Sequence, residues 1–121
     1  PADAVDYINA HGTATLLNDQ AEAAAIQQVW GAAADRLPVS STKAMTGHLL
    51  TAASALEAVL TLIALEQQLL PPNLNYQNPD PDCRLHIVTE PRPARVRAAM
   101  SNGFGFGGQN ASILLTRVGA A

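Results

Sequence analysis

The stretch GHLLTAASALEAVLTLIALEQ, from Gly47 to Gln67, limits the folds open to this chain more than any other. It has the composition of a helix but no clean polar face, and a helix that is apolar all round has to be covered by other elements. Its small residues, Thr51 to Ala55, allow another backbone to come close. Glu57 stands in the middle of the apolar run, which only just reaches membrane-spanning length. The segment therefore reads as a buried central helix rather than a membrane anchor. A charge in such a place calls for a partner, and Lys43 upstream is the natural one. Glu57 lies about 13 Å along the helix from His48 and roughly half a turn round, so those two are not expected to touch.

Elements that can cover such a helix follow from the rest of the chain. Residues 4–10 (AVDYINA) alternate as a strand, with Val5, Tyr7 and Asn9 on one face and Ile8 on the other. NDQAEAAAIQQVWG reads as a helix, Asp19 and Glu22 having capping-box spacing at its start. Ala25, Ile26, Val29 and Trp30 form its apolar stripe, and Gly31 ends it. A short strand is expected at Pro38–Ser41. After the turn-rich LLPPNLNYQNPDPDC come three more strand candidates, RLHIVTE, RVRAAMSN and QNASILLTRV. This order predicts an α/β domain, a mixed sheet packed against helices, ending in a strand pair around the GFGFGG turn.

Composition narrows the class further. A chain of 121 residues is enough for one domain with its own core. The formal charge of −3 and the lack of clustered Lys and Arg give no footprint for nucleic acid. One cysteine excludes an internal disulfide framework and fits a reducing, cytoplasmic setting. The chain shows no signal peptide, and its start at Pro1, close to a strand, suggests a piece of something longer.

Several short runs carry chemistry. In HGTAT, Gly12 allows a sharp turn beside His11, and Thr13 and Thr15 offer hydroxyls to a ligand. In STKAMTGHLL, His48 opens the central helix, where the positive end of the dipole favours a neutral ring. A neutral imidazole donates one hydrogen bond without net charge. NGFGFGG formally matches a dinucleotide fingerprint, but a strand rather than a helix follows it, and no P-loop Lys is present. What remains is a glycine turn carrying Phe104 and Phe106, of the kind that can aim backbone N–H groups at an oxyanion. Cys83 and His86 make a C-x-x-H pair without further ligands at compatible spacing, so no metal site is expected. Two aspartates beside Cys83 argue against a reactive thiol.

Taken singly, each run reads as an ordinary turn or cap. In the order DYINAHGTAT…ND, SSTKAMTGHLLTAASALEA, PPNLNYQNPDPDC and SNGFGFGGQNAS they resemble the C-terminal half of β-ketoacyl-acyl-carrier-protein synthases, both the elongating synthase II type and polyketide ketosynthases. The resemblance covers nearly the whole chain. It implies the thiolase-like fold, in which two similar α/β halves enclose one active site, with residues 1–121 as the second half. It implies decarboxylative condensation of an acyl group with malonyl-acyl-carrier protein, in fatty-acid or polyketide elongation. His11 and His48 match the two catalytic histidines, Lys43 the lysine of the site, and Glu57 its acidic partner. Thr13 and Thr15 match positions that bind the pantetheine arm, Phe104 a gate, and Phe106 the residue whose N–H completes an oxyanion hole. No cofactor is implied beyond the phosphopantetheine arm of the carrier protein. The implied partners are acyl-carrier protein, the N-terminal half and, in the full-length protein, a second copy. The family's nucleophilic cysteine lies in a motif absent here, so the isolated chain is expected to be inactive. The alternative is a non-catalytic relative of the chain-length-factor type, which retention of both histidines and Lys43 argues against.

Overall fold

The computed structural model describes residues 1–119, and its centre is a five-stranded sheet. The strands are β1 (Tyr7–Asn9), β2 (Pro38–Ser40), β4 (His86–Ile87), β6 (Ala98–Gly105) and β7 (Gln109–Thr116), in the spatial order β4-β2-β1-β6-β7. The first four run parallel, with Ile8 opposite both Val39 and Met100, while β7 folds back antiparallel on β6. A small antiparallel pair, β3 (Leu69–Leu70) with β5 (Arg92–Pro93), lies beside it. The mixed α/β architecture expected from the sequence is therefore present. RLHIVTE forms only the two-residue β4, and Gly107 and Gly108, both at φ +78, make the expected hairpin turn.

Helix α1 (Leu16–Trp30) packs on one face of the sheet and α3 (Ala53–Gln67) on the other; the short α2 (Lys43–Thr46) follows β2. Alternation along β1 feeds both layers. Tyr7 joins Ala64, Leu65, Leu70, Val88, Val96 and Ala99 under α3, whereas Ile8 and Ala10 join Ile26, Ala34, Leu37 and Val39 under α1. Val5 lies before the strand and packs on the Ile8 side, not with Tyr7 as its spacing suggested.

Both main helices depart from the sequence reading. Helix α1 begins at Leu16, and Glu22 turns inward with Ala23 and Ile26 while Val29 is exposed. Glu22 is thus not a capping residue, because its carboxylate has backbone partners to satisfy. The stretch from Gly47 is not one helix. Leu50 stands at φ +51, a left-handed conformation that no α-helix contains, and a 3-10 turn (Leu50–Ala52) precedes α3. Leu50–Gln67 is long and apolar enough to cross a membrane, yet in this fold α3 packs on the sheet through one stripe, Ala53, Glu57, Thr61, Ala64 and Leu65. The expectation of a helix inside the protein holds for that stripe only. Two polar residues, Glu57 and Thr61, face in, while Val59, Leu62 and Ile63 face out and are exposed.

The start of the sheet is clamped by Asp6. Its carboxylate accepts from the Arg97 amide at 2.7 Å, the Ala98 amide at 3.2 Å and the Arg97 guanidinium at 3.0 Å, tying the ends of β1 and β6 together. Burial pushes this carboxyl up, but the bonds from Arg97 and Ala98 outweigh it and hold it below the ordinary 3.8. The unfolded chain protonates first as acid is added. The clamp's contribution is therefore complete above 3.8 and lost as the pH falls through the folded value. Asp6→Asn is expected to lower Tm at neutral pH, and the gap to the parent chain should close as thermal scans are taken below that value.

Candidate active site

The candidate side chains gather at the C-terminal ends of the parallel strands, where the backbone leaves the ladder and is free to turn. His11 follows β1, Lys43 follows β2, and Phe104 stands near the end of β6. The ring of His11 is edge-on to His48, with centroids 5.5 Å apart, and is 5.3 Å from the ring of Phe104. Lys43 and Glu57 form the ion pair expected from their sequence positions, both side chains almost fully buried.

Hydrogen bonding assigns the tautomer of each imidazole. Lys43 Nζ lies 3.4 Å from His11 Nδ1, and an ammonium only donates, so Nδ1 accepts and the ring proton sits on Nε2. The Leu50 amide donates to His48 Nδ1 at 3.2 Å, which places the proton of a neutral His48 on Nε2 as well. His48 therefore lies outside the helix it was expected to open, and the Leu50 amide rather than a dipole orients it. Burial, then the charges of Lys43 and His48, push His11 down to about 4, with Asp19 opposing them. At neutral pH the cluster presents an uncharged N–H donor from His11.

The turn that carries His11 depends on Glu22, whose part was hidden by its capping-box spacing. One carboxylate oxygen accepts from the His11 amide at 2.9 Å and Asn102 Nδ2 at 3.1 Å; the other accepts from the Gly12 amide at 2.9 Å. Behind this turn Asn9 donates to the Glu57 carbonyl and the Thr61 hydroxyl, so β1 is tied to the inner stripe of α3. No local pattern announces these links, since they join residues 10 to 80 positions apart and none falls at a helix or strand spacing.

Thr13 and Thr15 share a hydrogen bond of 2.9 Å and line a cavity of about 680 Å³ that also reaches Lys43, His48, Ser41 and Asn73. Phe106 stands apart. Its side chain is 99% exposed on the hairpin turn, so its ring packs on nothing among the described residues. Cys83 lies on the cavity wall, its thiol pushed up by burial and by Asp80, Asp19 and Asp82. His86 is engaged elsewhere, with the Arg36 carbonyl and the Arg92 guanidinium.

Known proteins share this arrangement of elements. Residues 1–77 match the family described as beta-ketoacyl synthase, C-terminal domain. The chain is 50% identical over 115 residues to 3-oxoacyl-(acyl-carrier-protein) synthase 2 of Coxiella burnetii, covering 94% of this chain and 28% of that protein. Among solved structures it superposes on the ishigamide ketosynthase/chain length factor with a TM-score of 0.92 at 39% identity, over 96% of this chain and 28% of that one. A type II polyketide synthase ketosynthase solved with its acyl-carrier protein and bound to the hexaketide gives 0.93 at 38%, over 96% and 29%. The fold is thus that of the C-terminal part of ketosynthases. This chain belongs to the beta-ketoacyl synthase family, and it spans under a third of the length of these relatives.

Unfolded, His11 takes a proton near 6.5; folded, only near 4. Between those values the unfolded state binds more protons, so this residue erodes stability as the pH falls from 6.5 to 4 and has no such effect above. An NMR titration should find His11 neutral down to about 4, and Lys43→Met should move its midpoint up. The same substitution leaves Glu57 buried and unpaired, at a cost of about 3–5 kcal/mol in denaturant unfolding. The double variant Lys43→Met/Glu57→Leu should recover most of that loss.

Proposed function

We propose that this chain supplies the two-histidine part of a condensing site that joins an acyl group to malonyl-acyl-carrier protein. The observation that carries the reading is the pair of edge-on imidazoles, each with Nδ1 engaged and Nε2–H free to donate. When malonyl thioester loses CO₂, its C–C bond breaks and the electron pair moves onto the thioester oxygen as an enolate. Two neutral N–H donors suit that developing charge and cost no proton transfer. The nucleophilic carbon then attacks an acyl thioester, a new C–C bond forms, and the thiolate that held the acyl group leaves.

Lys43 holds His11 in the donating tautomer, and Glu57 holds Lys43. Thr13 and Thr15 meet the pantetheine arm of the carrier protein, and Phe104 gates the approach to His11. Phe106 is assigned to the oxyanion hole of acyl transfer through its backbone N–H, on the resemblance of its motif alone. The thiol nucleophile belongs to an N-terminal half of the enzyme, which we place against the exposed apolar face of α3 formed by Val59, Leu62 and Ile63. In this reading residues 1–121 are a C-terminal domain, the whole enzyme works in the cytoplasm as a dimer, and the chain alone is inactive. The acidic surroundings and raised pKa of Cys83 support a bystander thiol rather than a nucleophile.

The test uses a polypeptide that carries both halves. His11→Ala and His48→Ala should each abolish decarboxylation of malonyl-acyl-carrier protein, a loss of about 10²–10³-fold or more for a lost oxyanion donor. Full decarboxylation by either variant would overturn the assignment and favour a non-catalytic, chain-length-factor-like role. Acylation should not reach Cys83 when the chain is incubated with an acyl thioester and mapped by mass spectrometry.

A further inference from the structure

The turn at His11 and Gly12 is held from two sides, and only one of them is α1. Glu22 takes the two amides. From the other side the Ser41 hydroxyl donates to the Gly12 carbonyl at 2.8 Å. Ser41 is 6% exposed, and its own amide donates to Asn73 Oδ1 at 2.9 Å. The Lys43 amide reaches Ser41 Oγ at 3.4 Å, so the one hydroxyl proton is committed to Gly12 while a lone pair faces the Lys43 turn. Asn73 is fixed in turn, its amide donating to the Val88 carbonyl at 2.7 Å.

These bonds complete what Glu22 leaves undone. Two amide bonds to one carboxylate hold the turn by one edge, and the next peptide is free to swing about a glycine at φ +42. The Ser41 bond to the Gly12 carbonyl removes that swing. The fit is close: a Cβ built on Gly12 would lie 2.5 Å from Ser41 Cβ. Three segments distant in sequence meet where His11 Nδ1 stands 3.4 Å from Lys43 Nζ.

We infer that Ser41, backed by Asn73, is a positioning residue for His11, setting the spacing between the HGTAT turn and the Lys43 turn. Ser41 acts through the Gly12 carbonyl and the Lys43 amide. Through the first it governs the aim of the imidazole and of the Thr13 hydroxyl beyond it; through the second, the place of Lys43. The inference rests on the proposed role of His11.

Three variants in the polypeptide carrying both halves test it: Ser41→Ala, Asn73→Leu, and Asn73→Asp, which keeps an acceptor at the same place. Ser41→Ala and Asn73→Leu should lower kcat for malonyl decarboxylation about 10- to 100-fold with little change in KM. Both should also move the NMR titration of His11 upward as Lys43 draws away. Asn73→Asp should keep the parent kcat and KM, which guards against a general loss of folding, and only these are read from it, since its added carboxylate raises the His11 titration by charge alone. A Ser41→Ala enzyme with a lower Tm but unchanged kcat and unchanged His11 titration would overturn the inference, and so would an Asn73→Asp enzyme as impaired as Asn73→Leu. Should His11→Ala itself decarboxylate normally, the proposed function falls, while the His11 titration in Ser41→Ala still decides the positioning role.

Discussion

Lys43 and Glu57 meet in the interior, and the rest of the structure is arranged around that meeting. To reach Lys43, Glu57 has to turn inward, which fixes the rotation of α3 about its axis. Thr61, Ala64 and Leu65 then follow it onto the sheet, and Val59, Leu62 and Ile63 are left facing out. A buried pair of this kind adds little net stability, yet losing either member is costly, so it acts mainly as a constraint on geometry. The second Glu57 oxygen is buried without a hydrogen-bond partner among the described residues, which makes the bond to Lys43 the more necessary. The lysine also faces His11, where its charge helps to keep the ring neutral and assigns the ring proton to Nε2.

The same parts of the chain therefore serve the packing and the candidate site. Asn9 links β1 to the inner stripe of α3, and the residue two positions on is His11. Tyr7 donates to Ser40, which donates to the Pro71 carbonyl, so the strand that carries the imidazole is tied to the turn-rich segment that also supplies Asn73. The left-handed conformation of Leu50 is the local cost of aiming its amide at His48. A site built on strand ends and turns is held here by hydrogen bonds from three directions, where the strand ladder no longer reaches.

Much of the fold was legible because its signals are local. The alternation around Tyr7 and Ile8, Gly31 at the end of α1 and the glycine turn before Gln109 depend on residues a few positions apart. The Lys43–Glu57 pair was legible for a different reason, since a charge in an apolar helix has few ways to be tolerated. Capping-box spacing misled at Glu22, because the backbone amides of a neighbouring turn outcompeted those of its own helix. Continuous apolarity misled at Leu50, where a hydrogen bond to His48 overrode helical propensity.

By itself, the sequence determined where the main strands and helices lie, that a buried lysine and a buried glutamate should pair, and which motifs of the family are present. Tertiary structure alone decided that Glu22 serves the His11 turn, that Ser41, held by Asn73, closes on Gly12, and that both imidazoles engage Nδ1 and so carry the ring proton of their neutral form on Nε2. The physical reason is one of range. Propensity, alternation and charge burial act over a turn or a strand. A hydrogen bond between residues 29 or 80 positions apart exists only once the register of β1 with β2 and β6 has set the distance it must span.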